Sequence, residues 1–157
     1  MNYITSELQK AILKSIQDVQ AASEVSSFLD EIEASTYKTD SDATALVKRL
    51  LKYCYPLSEL MSGRPKQVIR DICQEAQSML KNCDRIKIEM AYIPSRDFAS
   101  GLYDIFQSLG YSLFLLDFIV TPDIGTGAHF YHKGNFIDVS FVNIIKEKMK
   151  GTNLGIA

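Results

Sequence analysis

The chain is poor in the features that would assign it quickly. It has three cysteines, Cys54, Cys73 and Cys83, an odd number with no pair at C-x-x-C spacing. That argues against both a disulfide framework and a zinc site. With no secretion signal the thiols read as reduced, in a cytoplasmic setting. Cys54 and Cys73 sit in helical patterns beside apolar residues, where cysteine behaves as a small core residue. The net charge is only −2, so no basic excess points to nucleic acid. No apolar run reaches the ~18 residues of a membrane span. The longest, LFLLDFIV at 113–120, is strand-sized and interrupted by Asp117. Neither an internal repeat nor a low-complexity tract is present.

What is there is ordinary globular material, 46% hydrophobic and 23% charged. At 157 residues it suits one domain, or two very small ones. The first half has helical periodicity. Ile4, Leu8, Ile12, Ile16 and Val19 form one stripe within an amphipathic segment over 1–25, with Glu7, Lys10, Lys14 and Asp18 off it. A short piece with Phe28, Leu29 and Ile32 follows. STYKTDSD at 35–42 reads as a loop and helix start. Ala43, Leu46, Val47, Leu50, Leu51 and Cys54 make the next stripe, which Pro56 kinks or ends. Gly63 breaks the chain, and Pro65 suits a first helical position. Val68, Ile69, Ile72, Cys73, Ala76, Met79 and Leu80 make a strong third stripe.

The second half changes period. RIKIEMAYI at 85–93 alternates as a half-buried strand, with Ile86, Ile88, Met90 and Tyr92 on one face. Ser95 is a candidate N-cap for a helix whose apolar positions are Phe98, Leu102, Ile105, Phe106 and Leu109, with Gly110 as its C-terminal cap. SLFLLDFIV at 112–120 is a second, more buried strand, and strand–helix–strand in this length implies a parallel crossover. GAHFYH at 127–132 and FIDV at 136–139 are short strands joined by a Lys133-Gly134-Asn135 turn. Ser140 caps a last helix with Phe141, Ile144, Ile145 and Met149 as buried positions. Lys146, Lys148 and Lys150 crowd its C-terminal end, where positive charge is favourable.

The layout is therefore α+β. A helical bundle over 1–82 precedes a small α/β domain over 83–150, with a mixed sheet of about four strands and two helices. A tail over 151–157 reads as mobile. The hinge falls near KNCD, 81–84.

The stretch VTPDIGTGAHFYHKGNFIDVS at 120–140 invites chemical readings. A phosphate loop or dinucleotide fingerprint fails, because a strand and not a helix follows Gly125 and Gly127, and no Lys-Ser/Thr pair comes after them. His129 and His132, three apart on a strand, point to opposite faces and cannot easily share a metal ion. Asp117, Asp123 and Asp138 could supply carboxylates, but nothing in the sequence makes them converge. A Ser140–His132–Asp138 triad lacks the Gly-x-Ser-x-Gly elbow, and Ser140 is better explained as a helix cap. Glycine here is architectural: two sharp turns around a short strand. No catalytic, cofactor-binding or metal residue is assigned.

The run LDFIVTPDIGTGAHFYHKGNFIDVSFVNII (116–145) resembles the C-terminal part of the delta subunit of F-type ATP synthases, the family of the oligomycin-sensitivity-conferring protein. That family's pattern is a strand, Asp-Pro, a short apolar pair, Gly-Gly, a strand, a glycine turn, and Asp-x-Ser leading a helix. Thr121-Pro122 stands at Asp-Pro, Thr126-Gly127 at Gly-Gly, Gly134 at the turn and Asp138-Val139-Ser140 at Asp-x-Ser. IKIEMAYIPS (86–95) resembles the family's strand and proline-bearing turn. The likeness covers 85–149 and is only architectural over 1–84. The family's arginine after Asp-x-Ser is absent, with Val142 and Asn143 in that area.

The resemblance implies a non-catalytic stator subunit, without cofactors, that links the catalytic head of a rotary proton-translocating ATP synthase to its peripheral stalk. Its helical domain would take N-terminal helices of α subunits into apolar grooves, with Ile12, Leu13, Ile16, Leu46, Leu50 and Leu51 as candidate residues. Its α/β domain would dock b-type stalk subunits. Pro122, Gly127, Gly134, Asp138 and Ser140 are the family-motif turn and cap residues. It implies a peripheral place on the cytoplasmic face of the inner membrane, without insertion and without nucleic acid. Two alternatives stay open: an E-type stalk subunit of vacuolar or archaeal rotary ATPases, and a small α+β ligand-binding domain using the 122–127 turn region.

Overall fold

The computed structural model describes residues 2–37 and 40–151. Among the described residues, seven helices and a four-stranded mixed sheet make an α+β fold, with five helices N-terminal to the sheet. Parts of the expected 35–42 loop and nearly all of the 151–157 tail lie outside the described residues. So do the side chains of Ile4, Lys10, Leu13, Lys14, Ala43, Met149 and Lys150.

The expected first stripe divides between two helices, α1 (Asn2–Ser15) and α2 (Val19–Ser35). The break has two causes. Asp18 has extended backbone, and its Oδ1 accepts the Ala21 N–H at 2.7 Å, an N-cap that starts a new helix. Just before it, the Gln17 carbonyl accepts the Leu116 N–H at 2.9 Å, so this link pairs with the edge of the sheet. Phe28, Leu29 and Ile32, expected in a separate short piece, continue α2.

The next helix, α3 (Asp40–Leu50), stops before Cys54, which instead precedes α4 (Tyr55–Met61). Pro56 lies in the first turn of α4, where its missing N–H leaves no intrahelical bond unmade. Buried Ser58 donates from Oγ to the Val47 carbonyl at 2.7 Å, tying α4 to α3. Helix α5 (Lys66–Asn82) follows Pro65, which has extended backbone and stands at the N-cap instead of inside the helix. Leu8 and Ile12 of α1 and Ile16 just after it meet Leu29 and Ile32 of α2, Leu57 of α4 and Ile72 and Cys73 of α5 in one apolar core.

Cys83 alone separates α5 from strand β1 (Asp84–Met90). The sheet order is β2-β1-β3-β4, with β2 (Phe114–Val120) parallel to β1, β3 (Ala128–His132) antiparallel to β1, and β4 (Asn135–Asp138) antiparallel to β3. Helix α6 (Arg96–Ser108) makes the crossover, capped by the Ser95 hydroxyl, which accepts the Phe98 N–H. Ile86, Ile88, Met90, Phe114 and Leu116 are buried with Tyr103 in a second core. Leu115, on the other face of β2, belongs to the helical core, so β2 serves both.

Two expected stripes are placed differently. In α6 the fully buried residue is Tyr103, stacked on Phe114 at 4.4 Å, while Phe98, Ile105 and Leu109 are exposed. In α7 (Phe141–Gly151) Phe141, Ile144 and Ile145 are exposed as well. An apolar stripe identifies a face that seeks cover; it does not say that the same chain supplies it. β2 is buried over Phe114–Leu116 and exposed at Ile119 and Val120.

Candidate functional site

The segment from Thr121 to Asn143 is built around one close approach. After β2 the Thr121 N–H donates to the Met90 carbonyl, and a single 3-10 turn spans Pro122–Ile124. Gly127 has φ +107°, and a Cβ there would lie 2.5 Å from the Val139 carbonyl oxygen and 2.6 Å from Ser140 Cα. No side chain fits. The strand β3 then runs to a two-residue hairpin at Lys133 (φ 49°) and Gly134 (φ 82°), the left-handed pair that matches strand twist. After β4 the chain returns past Gly127: the Val139 N–H donates to the Ala128 carbonyl and the Phe141 N–H to the Thr126 carbonyl.

The start of α7 is fastened at the same place. Asp138 Oδ1 accepts the Ser140 N–H at 2.8 Å, and the Asp138 carbonyl accepts from Asn143 Nδ2 at 3.0 Å. Ser140 Oγ accepts the Asn143 N–H at 3.4 Å, which makes it the helix cap. Gly127, Asp138 and Ser140 thus meet at one corner, Pro122 opens the 3-10 turn that leads into it, and Gly134 sits at the far end of the hairpin.

The sheet face away from α6 carries a polar row. Lys87 Nζ lies 2.7 Å from Glu89 Oε1, and the Tyr131 hydroxyl donates to Glu89 Oε2 at 3.0 Å. His129 stands between two carboxylates, Nδ1 3.6 Å from Glu89 and Nε2 3.4 Å from Asp138. Phe136 leans on the rings of His129 and Tyr131. The hydrogen bond from Lys87 holds the Glu89 carboxyl below the usual range, and the same bond raises the Lys87 ammonium. Burial, then the bond to Glu89, raises Tyr131. Hydrogen bonds from the Ser140 side chain and backbone lower Asp138. The alternation of β1 and β3 predicts which residues share a face, but not that β4 would bring Asp138 beside His129.

This row does not assemble the chemistry weighed from the sequence. The two carboxylates flank opposite nitrogens of one imidazole and do not converge. Among the described residues no group of three His, Cys, Asp or Glu is placed to hold a metal ion. His132 lies on the α6 side, against Tyr111, away from Ser140 and Asp138.

The residues suggested for partner grooves fall mostly in the core. Ile12, Ile16 and Leu50 are fully buried under the chain's own helices, Leu46 is packed against them, and Leu51 is 44% exposed. Leu13 shares α1, its side chain outside the described residues. One groove of the helical half lies between α1 and α4. It holds about 530 Å³ and is lined by Glu7, Ala11, Tyr55, Pro56, Leu60 and Arg64. A second hollow of about 510 Å³ lies where the halves meet, between Val19, Ile93, Pro94, Phe118 and Val120.

Among the described residues no helix is long and apolar enough to cross a membrane. In comparison with known proteins, no family model matches the chain and no curated protein matches it.

Proposed function

We propose that this chain is a non-catalytic peripheral-stalk subunit of a rotary ATP synthase, of the delta type, joining the catalytic head to b-type stalk chains at the cytoplasmic face of the inner membrane. The observation that supports it most is the corner at Gly127. The residues that carry the family resemblance are those with a steric or capping duty there: Gly127 for the close approach, Asp138 and Ser140 for the start of α7.

A joint under torque needs stiff elements and uncovered apolar surface. The α1–α4 groove, with Ala11, Pro56 and Leu60 in its lining, suits an amphipathic helix, which is the role the reading gives to an α-subunit N-terminus. The exposed apolar residues of the α/β half suit the stalk.

The test is a mild-detergent purification of the tagged full chain from its native cells, with co-purifying chains identified by mass spectrometry. Recovery of α, β and b-type subunits in fixed ratio is the expected result. A chain that elutes alone, with the ATP synthase intact elsewhere, overturns the reading.

A further inference from the structure

Strand β2 is an outer strand of the sheet, and its free edge is open beyond Leu116. Two bonds fix which backbone groups face outward. The Thr121 N–H turns inward to the Met90 carbonyl of β1, and the Leu116 N–H turns outward to the Gln17 carbonyl. Backbone groups alternate sides along a strand, so those of Phe118 and Val120 also face outward. Gln17 and Asp18 make the first rung of an added parallel strand, and the chain then leaves into α2. Among the described residues nothing pairs with the N–H of Phe118 or of Val120.

This edge is the floor of the hollow of about 510 Å³ where the halves meet. Val19, Gln20 and Ser23 of α2 form one wall; Pro94, Arg96 and Ala99, at the start of α6, form the other. The walls match the two faces of β2: Leu115 and Asp117 turn to the α2 side, Phe118 and Val120 to the α6 side. From Leu116 to Val120 the edge runs about 13 Å, the reach of a short extended segment. Edge strands ordinarily carry a lysine, a proline or a bulge against unwanted pairing. Leu116–Val120 has none of these, and its register with β1 is unbroken. The charges at the hollow are Asp18 and Asp117 against Arg96. The adjoining hollow, which shares Asp18 and Arg96, adds Glu24 and Asp97 against Lys52. The balance is acidic.

We propose that this edge takes an extended peptide segment of a partner protein by strand addition to β2, continuing the rung that Gln17 and Asp18 begin. Main-chain hydrogen bonds to Phe118 and Val120 hold the segment. Its residues alternate: apolar ones lie beside Phe118 and Val120, and a lysine or arginine lies beside Asp117. The unpaired backbone, not exposed apolar area, specifies the occupant, because a helix satisfies its own N–H groups and cannot pair with an edge. The site is separate from the α1–α4 groove, and the inference does not rest on the stalk reading.

The probe is a fluorescein-labelled peptide, Thr-Val-Lys-Val-Lys-Val, titrated with the full chain to about 1 mM and followed by anisotropy. Saturable binding is expected, and nitrogen-15 NMR should show amide exchange at Phe118 and Val120 slowed by the peptide. Only alternate N–H groups of the peptide can face β2. N-methylating either its valines or its lysines should therefore weaken binding by about tenfold or more, while methylating the other set leaves it. Glutamate in place of both lysines should also weaken binding by about tenfold or more, since like charges would then meet. Val120→Pro removes an outward N–H and leaves the β1 ladder intact, a place where an edge strand tolerates proline. Circular dichroism should show it folded, with binding reduced about tenfold. No saturation by about 1 mM overturns the proposal. So do two N-methylated peptides that both bind like the parent, or exchange at Phe118 and Val120 that the bound peptide leaves unchanged; these two readouts need no variant of the chain.

Discussion

Gly127 and Val139 stand so close that a single methyl group on the first would meet the carbonyl oxygen of the second at 2.5 Å. The contact brings the end of β4 across the start of β3 and sets where α7 leaves the sheet. Gly127→Ala combines that clash with a φ of +107° that an L side chain rarely adopts. We expect a loss of about 1–3 kcal/mol or more, read as a lower urea midpoint with an unchanged slope. Gly101→Ala, in open space within α6, serves as the control. Equal midpoints for Gly127→Ala and the wild type would show that the corner can relax.

The Lys87–Glu89 pair predicts a titration result. Glu89 is lowered chiefly by its hydrogen bond with Lys87, and Lys87 is raised by the same bond. A lowered carboxyl gives stability that is present above its ordinary pKa and lost as pH falls through the lowered one. A raised ammonium gives stability that is present below its ordinary pKa and lost as pH rises through the raised one. The pair therefore contributes fully between about pH 4.3 and 10.4. Lys87→Met should move the Glu89 carboxyl up toward its ordinary value, followed by carbon-13 NMR titration. An unmoved Glu89 would assign its shift to Tyr131 and His129 instead.

Adjacent leucines separate core from surface. Leu50→Ala should cost about 2–5 kcal/mol, the usual range for a buried leucine, because Leu50 is fully buried. Leu51→Ala should change stability by no more than about 0.5 kcal/mol. Chemical denaturation of both variants checks this. Comparable losses would mean that Leu51 is covered in solution.

The thiols should be silent in the folded chain. Cys54, Cys73 and Cys83 are all free and buried. Burial pushes Cys73 up to about 12 and raises the other two. A thiol far below its pKa holds almost no thiolate. At pH 8, Ellman's reagent should find none of the three in native protein and all three in denaturant. Rapid reaction of one native thiol would reveal local opening of the structure around it.

Much of the fold was legible from spacing alone. Period-two alternation marks β1, helical stripes mark α5 and α6, and Ser95 and Ser140 mark the starts of α6 and α7, because these patterns depend on residues a few positions apart. The turn chemistry of Lys133-Gly134 was legible for the same reason. The chain's own residues also determined that His129 and His132 part company, since strand geometry alternates faces.

Only the tertiary structure decided the rest. It broke the first helix at Asp18, because the Gln17 carbonyl finds its partner on Leu116, 99 residues away. It buried Ile12, Ile16 and Leu50, and left Phe98, Ile105, Leu109 and Ile144 uncovered. A sequence records that a residue is apolar. Whether that residue meets its own chain or waits for another depends on how many elements compete for each face of the sheet, and that is set only when all of them are packed together.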